Sequence, residues 1–581
     1  MELFHFNFTV LLLLLLFLEI FLIICDAAGR CLEEENSTLL QLKRGFMIGD
    51  LETWQPGTDC CIWEGVTCDE YGRIIVLNLR FRFIIGTIDP SLFNLTSLDT
   101  LNLAYNNFDG IAIPDQGWDR LVNLSSLDLS YAGFVGKVPT SISRLKKLNF
   151  LDLSCTLKNS LAINPMILQN MSSLKELHLD NVNVSSYRYE WCGVLVNSTP
   201  VLEVLSMNRC SLFGTICSSL PMLHFLSFID FGHNNLDSNI PDSFANFSSL
   251  SKLFLQGNNF KGFFPTKIFK LRNLKVLDIS YNPLLSVHFL DFPEYSNLNS
   301  LSTSNTNFSG NLPDAIGKFK FLAYLDLSCC QFYGTIPASI WNLLGLMFLD
   351  LSHNNFNGVV GFEFPSNTIS QSHLFWLSLA NNNLIGEIAP FICSLTRLKM
   401  LDLSKNKLNG TIPSCLLEDG IDLRVLNLEG NQLHGAIPHG ISQKCKLKII
   451  NMRDNQLEGL LPSDASVRCL EEENSAILQL KKGFITGNLE TWQPGTDCCI
   501  WEGVTCDENG RIIVLNLRFR FIIGTIDPSL FNLTSLDTLS LAYNKFDGIA
   551  IPDHGWDRLV NLSSLDLSYA GFVGKSKGTS S

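Results

Sequence analysis

A chain of 581 residues is longer than one hydrophobic core usually supports, so it needs several domains or a fold that grows by repetition. Hydrophobic residues make up 46% and charged residues 17%, a balance that excludes a disordered chain. A formal net charge of -14 disfavours nucleic acid and anionic membrane surfaces as partners.

In chain order, Val10 to Ile24 is almost wholly apolar and is followed by the small residues Ala27, Ala28 and Gly29. Residues 1–28 read as a signal peptide, with cleavage after Ala27 or Gly29. An uncleaved anchor is the alternative, but the run is short for a bilayer and Glu19 breaks it. No later run of about 18 or more apolar residues lacks a charge, so the mature chain is expected to have no membrane span. A secretory route places the other cysteines in an oxidising setting.

Residues 29–73 read as an N-terminal cysteine cap. Cys31, Cys60, Cys61 and Cys68 bracket a helical pattern (Thr38 to Phe46) and the stretch WQPGTDCCIWEGVTC. Four cysteines allow three pairings, and spacing does not choose among them. Zinc is the rival reading; the adjacent cysteines and the secretory route argue against it. Trp54 and Trp63 are expected to close the hydrophobic end of the first repeat.

From residue 74 to 463 one pattern returns about sixteen times, at a period of about 24 residues. It reads LFWLSLANNNLIGEIAP at Leu374, LKMLDLSKNKLNGTIP at Leu398 and LRVLNLEGNQLHGAIP at Leu423. This is the spacing of a leucine-rich repeat solenoid, an α/β-type fold with short parallel strands on a concave side. Leucines of the L-x-L strand point inward and the residues between them outward. The asparagine after the strand is expected to bond backbone at the bend and to stack into a ladder. Asn106, Asn234, Asn258, Asn282, Asn354, Asn382, Asn406, Asn431 and Asn455 hold that position, and Cys210 and Cys330 replace it as buried thiols. No repeat buries its own apolar face, so stability is a sum over neighbours. Cys192 and Cys217 flank one repeat, and whether they pair stays open. N-glycosylation sequons follow the signal peptide at Asn36, Asn94, Asn123, Asn170, Asn183, Asn197, Asn246, Asn307, Asn409, Asn532 and Asn561. Glycans on the convex side would leave the concave sheet for binding.

At Arg468 the chain begins again. The stretch RCLEEENSAILQLKKGFITGNLETWQPGTDCCIWEGVTC repeats Arg30 to Cys68, and the match runs to Lys575 with about ten differences in roughly 108 positions. Residues 464–511 therefore read as a second cap carrying Cys469, Cys498, Cys499 and Cys506, and 512–575 as a short segment of about three repeats. Residues 576–581 form a polar tail. A cap begins a solenoid, so two solenoid segments joined at about Ser463 to Val467 are predicted.

The C-C-x-W-x-G-V-x-C core resembles the N-terminal cap of plant extracellular leucine-rich repeat proteins. That resemblance implies the bonds Cys31–Cys60 and Cys61–Cys68, and by the same carry-over Cys469–Cys498 and Cys499–Cys506. The order of repeats, including Tyr187 to Ile216 and Ile240 to Phe269, is similar to plant receptor-like proteins of the Cf/Ve-like disease-resistance class, up to about residue 463. The resemblance implies defence or immune perception at the plasma membrane, on its extracellular face, without a kinase and through a co-receptor kinase. Nothing here resembles that family's C-terminal cap, membrane helix or cytoplasmic tail, so a secreted, apoplastic ectodomain is expected.

No catalytic constellation, metal site or cofactor motif is present in the sequence. The column Asp128, Asp152, Asp230, Asp278, Asp326, Asp350, Asp402 suggests carboxylate catalysis, but it is the outward x of L-D-L-S. The binding face is sharper. Tyr324, Phe348, Trp376 and Met400 precede the second leucine of successive repeats, and His353, Asn381 and Lys405 lie further along. Aromatic anchors beside polar groups suit a contact patch, and simple cover for the sheet is the bland alternative. The expected function is non-enzymatic recognition of an extracellular peptide, protein or glycan. A secreted polygalacturonase-inhibitor-like protein and a non-functional fragment are the alternatives.

Overall fold

The computed structural model describes residues 30–156, 161–184, 191–287, 296–359, 372–417, 421–437, 446–458, 469–507, 509–546, 551–552 and 554–572. The predicted signal peptide, the joint at Ser463 to Val467 and the polar tail lie outside them. Internal contacts divide the chain into two units. The first runs to Leu398 and adds Leu403–Lys407; the second takes Lys399–Asp402 and Leu408 onward.

The first unit opens with helix α1 (Glu33–Arg44). Glu33, Glu34 and Glu35 stand in its first turn and Lys43 and Arg44 in its last, matching both ends of the helix dipole. Leu39 and Leu42 are buried on its inner face. The buried Glu35 carboxylate accepts the N–H of Ile74, tying the helix to the strand Ile74–Asn78. Trp54 and Trp63 are both buried and stack with centroids 5.5 Å apart. Gly72, at φ 75°, lets this cap close: a Cβ there would sit 1.8 Å from the Arg30 carbonyl oxygen.

Strand Val66–Cys68 pairs antiparallel with Ile74–Asn78, and every later strand of this main sheet in the unit pairs parallel with the one before it. The sheet runs through Thr100–Asn102 and Ser126–Asp128 to Trp376–Ser378, in register, with Leu77 opposite Leu101 and Leu349 opposite Leu377. These leucines are fully buried and form the core. Short 3₁₀ turns such as Pro90–Asn94 and Thr140–Arg144 return the chain on the far side; Asp89 caps the first by accepting the Ser91 N–H. A smaller parallel sheet, Ser309–Asn311, Gln331–Thr335, Asn355–Val359 and Asn383–Glu387, comes after the ladder positions. Helix α2 (Trp191–Ser198) replaces one such turn, and its Cys192 is joined to Cys217.

The ladder is built by backbone that no strand satisfies. The Asn382 amide donates to the carbonyls of Leu351 (3.0 Å), Leu379 (3.1 Å) and Ala380 (3.2 Å), and its Oδ1 accepts the Phe356 N–H at 3.0 Å. Cys210 and Cys330 stand in the same column, donating their thiols to Leu179 O at 2.9 Å and Thr303 O at 3.2 Å. The residue before each ladder position is left-handed, whatever its type: His353, Asn381 and Lys405 lie at φ 54°, 51° and 52°. Each such residue costs about 1–2 kcal/mol, which the ladder bonds offset.

In the second unit Met400–Asp402, Val425–Asn427 and Ile449–Asn451 pair in parallel. Helix α3 (Glu471–Lys482) and the antiparallel pair Val504–Cys506 with Ile512–Asn516 repeat the first cap, and Thr538–Ser540 and Ser564–Asp566 extend it in parallel. Glu473 again accepts the Ile512 N–H, and Trp492 stacks on Trp501 at 5.7 Å. Thr38 is replaced by Ala476, and both are buried at the same helical position. The four cap disulfides join Cys31 to Cys60, Cys61 to Cys68, Cys469 to Cys498 and Cys499 to Cys506, which uses the sulfurs a zinc ion would need.

Candidate functional site

Three of the aromatic residues expected on the binding face meet on the exposed side of the main sheet. Strands Tyr324–Asp326, Phe348–Asp350 and Trp376–Ser378 pair in register, so Tyr324, Phe348 and Trp376 succeed one another across the sheet. Tyr324 stacks on Phe348 at 4.4 Å and Phe348 on Trp376 at 5.4 Å. All three are half-buried, each side chain resting on its neighbour. Met400 lies in the second unit, half-buried and opposite Val425.

His353, Asn381 and Lys405 stand at the left-handed bends, one strand end away. Asn381 Nδ2 lies 2.7 Å from His353 Nδ1; with the amide as donor, the imidazole accepts there and carries its proton on Nε2. Lys405 is exposed, and its carbonyl accepts the Asn382 N–H at 3.2 Å. Left-handed geometry turns these side chains toward solvent beside the aromatic column.

Two further features flank the aromatic column and the first bends; the sequence reading named the first only as an outward strand column and did not name the second. Asp326 and Asp350 lie on the strands of Tyr324 and Phe348, and Asp278 two strands before Tyr324; each caps a bend by accepting the N–H of Ser328, Ser352 or Ser280 at 2.9–3.0 Å. Burial pushes the carboxyls of Asp278 and Asp350 up, against the lowering effect of those serine bonds. The Tyr324 phenol, buried and surrounded by Asp326, Asp278, Asp350 and Tyr281, is pushed up to about 12. The second feature is a stack at the first bends. Phe81 lies 4.3 Å from Tyr105, Tyr105 lies 5.1 Å from Tyr131, and the Arg80 guanidinium sits over the first two. Arg518, Phe519, Tyr543 and Tyr569 reproduce it. Its only sequence signal was an aromatic before the ladder position.

None of the eleven sequon asparagines lies on a main-sheet strand. Asn94, Asn170, Asn183, Asn197, Asn246, Asn409, Asn532 and Asn561 are exposed, while Asn36, Asn123 and Asn307 are half-buried and donate to Thr58 O, Thr96 O and Ser286 Oγ.

Models of two families match. The leucine rich repeat N-terminal domain covers residues 32–69 and 470–507, and the leucine rich repeat covers 225–247, 321–343, 397–418 and 422–443. Receptor-like protein 6 of Arabidopsis thaliana is 31% identical over 280 residues, 43% of this chain and 27% of that protein. Receptor-like protein Cf-9 of Solanum pimpinellifolium is 29% identical over 249 residues, 36% of this chain and 28% of its own. The chain carries leucine-rich repeats and a duplicated N-terminal cap, and over part of its length it is similar to plant receptor-like proteins. It spans little more than a quarter of the length of these relatives. The crystal structure of a TDR receptor superposes on it with a TM-score of 0.50 at 23% identity, over 85% of this chain and 84% of that one, and shows the fold. A leucine-rich repeat ectodomain is a non-catalytic binding module. Among the described residues no helix is long and apolar enough to cross a membrane.

Proposed function

We propose that this ectodomain recognises an extracellular ligand on the exposed face of its main sheet, around Tyr324, Phe348 and Trp376, and acts without catalysis. The stacked column carries the reading. Three large rings, already ordered by one another, offer contact area at little further entropic cost, the property of residues that dominate interface energy. His353 and Asn381 supply donors and acceptors beside it. The disulfides and the sequons outside the sheet strands support an extracellular setting. Relatedness to receptor-like proteins supports a role in defence perception in which a partner kinase carries the signal.

The test is an array of synthetic peptides and oligosaccharides probed with the wild-type ectodomain and with F348A/W376A. Features bound by the wild type are expected to weaken at least about tenfold in the double variant, with an unchanged unfolding midpoint. Equal binding by both would remove this face as the recognition surface.

A further inference from the structure

Across the five strands Val276–Asp278, Ser300–Ser302, Tyr324–Asp326, Phe348–Asp350 and Trp376–Ser378, the outward positions carry three carboxylates and three aromatic rings and no lysine or arginine. Elsewhere the same sheet, and the bends that follow it, supply their own cation to such a ring. Lys252 reaches over Phe228 at 6.0 Å, from the neighbouring strand, and Arg80 lies over Phe81 and Tyr105. The negative faces of the rings attract a cation, and a carboxylate on the same strand adds to that attraction. Asp326 and Asp350 are paired across adjacent strands.

We infer that the occupant of this face is an extended peptide segment bearing arginine or lysine side chains, whose cationic ends lie over the Tyr324–Phe348–Trp376 column and beside Asp278, Asp326 and Asp350. The inference rests on the recognition face proposed above and names the chemistry of its ligand. Half-burial matters on both sides of the contact. The carboxylates are already partly desolvated by the sheet, so less water has to be removed when a cation arrives. Guanidinium fits better than ammonium, because it stacks flat on a ring while donating to a carboxylate.

The experiment uses fluorescence anisotropy with three labelled twelve-residue peptides, alike except that alternate positions are arginine, citrulline or glutamate. The full chain is expected to bind the arginine peptide at least about tenfold more tightly than the other two, with affinity falling as salt rises. D326N/D350N, which keeps the acceptors for Ser328 and Ser352, is expected to lose that preference while still unfolding in one cooperative transition. Equal binding of the arginine and citrulline peptides, no binding of the arginine peptide, or an unaltered preference in D326N/D350N would overturn the inference. The two readings separate on the array. Features lost by F348A/W376A but uncharged, and kept by D326N/D350N, overturn the cationic ligand alone; features kept by F348A/W376A overturn the face itself.

Discussion

An asparagine at the bend of each repeat does the work that a strand partner does elsewhere. Asn406 is buried, donates to Leu379 O, Leu403 O and Ser404 O at 2.9–3.1 Å, and accepts the Leu384 N–H at 3.1 Å. Alanine there leaves backbone groups unpaired out of reach of water, a loss of about 3 kcal/mol. Asn406→Ala is therefore expected to lower the denaturation midpoint far more than Lys405→Ala one residue earlier, where the side chain is exposed. Equal effects in urea titrations would mean the ladder is not a stability device. The asparagine period was readable in the sequence. The left-handed residue before it was only partly readable, since glycine, asparagine, aspartate and histidine at that position favour positive φ but tyrosine, cysteine and lysine also occupy it and do not.

Among the elements, the cap shows how closure is divided. Cys31–Cys60 closes 29 residues and ties the start of α1 to the tryptophan pair, whereas Cys61–Cys68 closes only 7 around one hairpin. Loop entropy makes the longer closure worth about 1 kcal/mol more. C31S/C60S is expected to unfold at a lower temperature than C61S/C68S in parallel melts. The reverse order would show that packing within the hairpin, not chain closure, is what the disulfides protect. The cysteine frame was visible as a pattern whose spacing allows three pairings; the family resemblance implied one of them, and the structure carries it, with Cys31 joined to Cys60 and Cys61 to Cys68.

At the scale of the molecule, the carboxylates of the sheet face set the pH response. Burial raises the pKa values of Asp152, Asp230, Asp278 and Asp350 above their ordinary range. The folded chain then holds protons that the unfolded chain has released, so this contribution is fully present below the ordinary carboxylate range. It is lost as pH rises through the raised values. Asp422, Asp527, Asp537 and Asp566 shift the other way, held down by hydrogen bonds to side chains or backbone, and water still reaches and screens them. The melting temperature is expected to rise as pH falls from about 7 to about 5, and D278N/D350N should flatten that rise. A melting temperature that falls steadily over the same interval would contradict it.

The sequence by itself determined the repeat, its core leucines, its ladder and the second copy of the cap, because a period of this length is imposed residue by residue and needs no distant partner. It also named the rings Tyr324, Phe348 and Trp376. What tertiary structure alone decided is which of the side chains sharing the sheet face touch one another. In-register pairing of strands about 24 residues apart brought the three rings of one repeat column into ring-to-ring stacking, and showed that the outward aspartates beside them also cap the bends. Adjacency across a sheet belongs to the stacking of repeats, and no single repeat contains it.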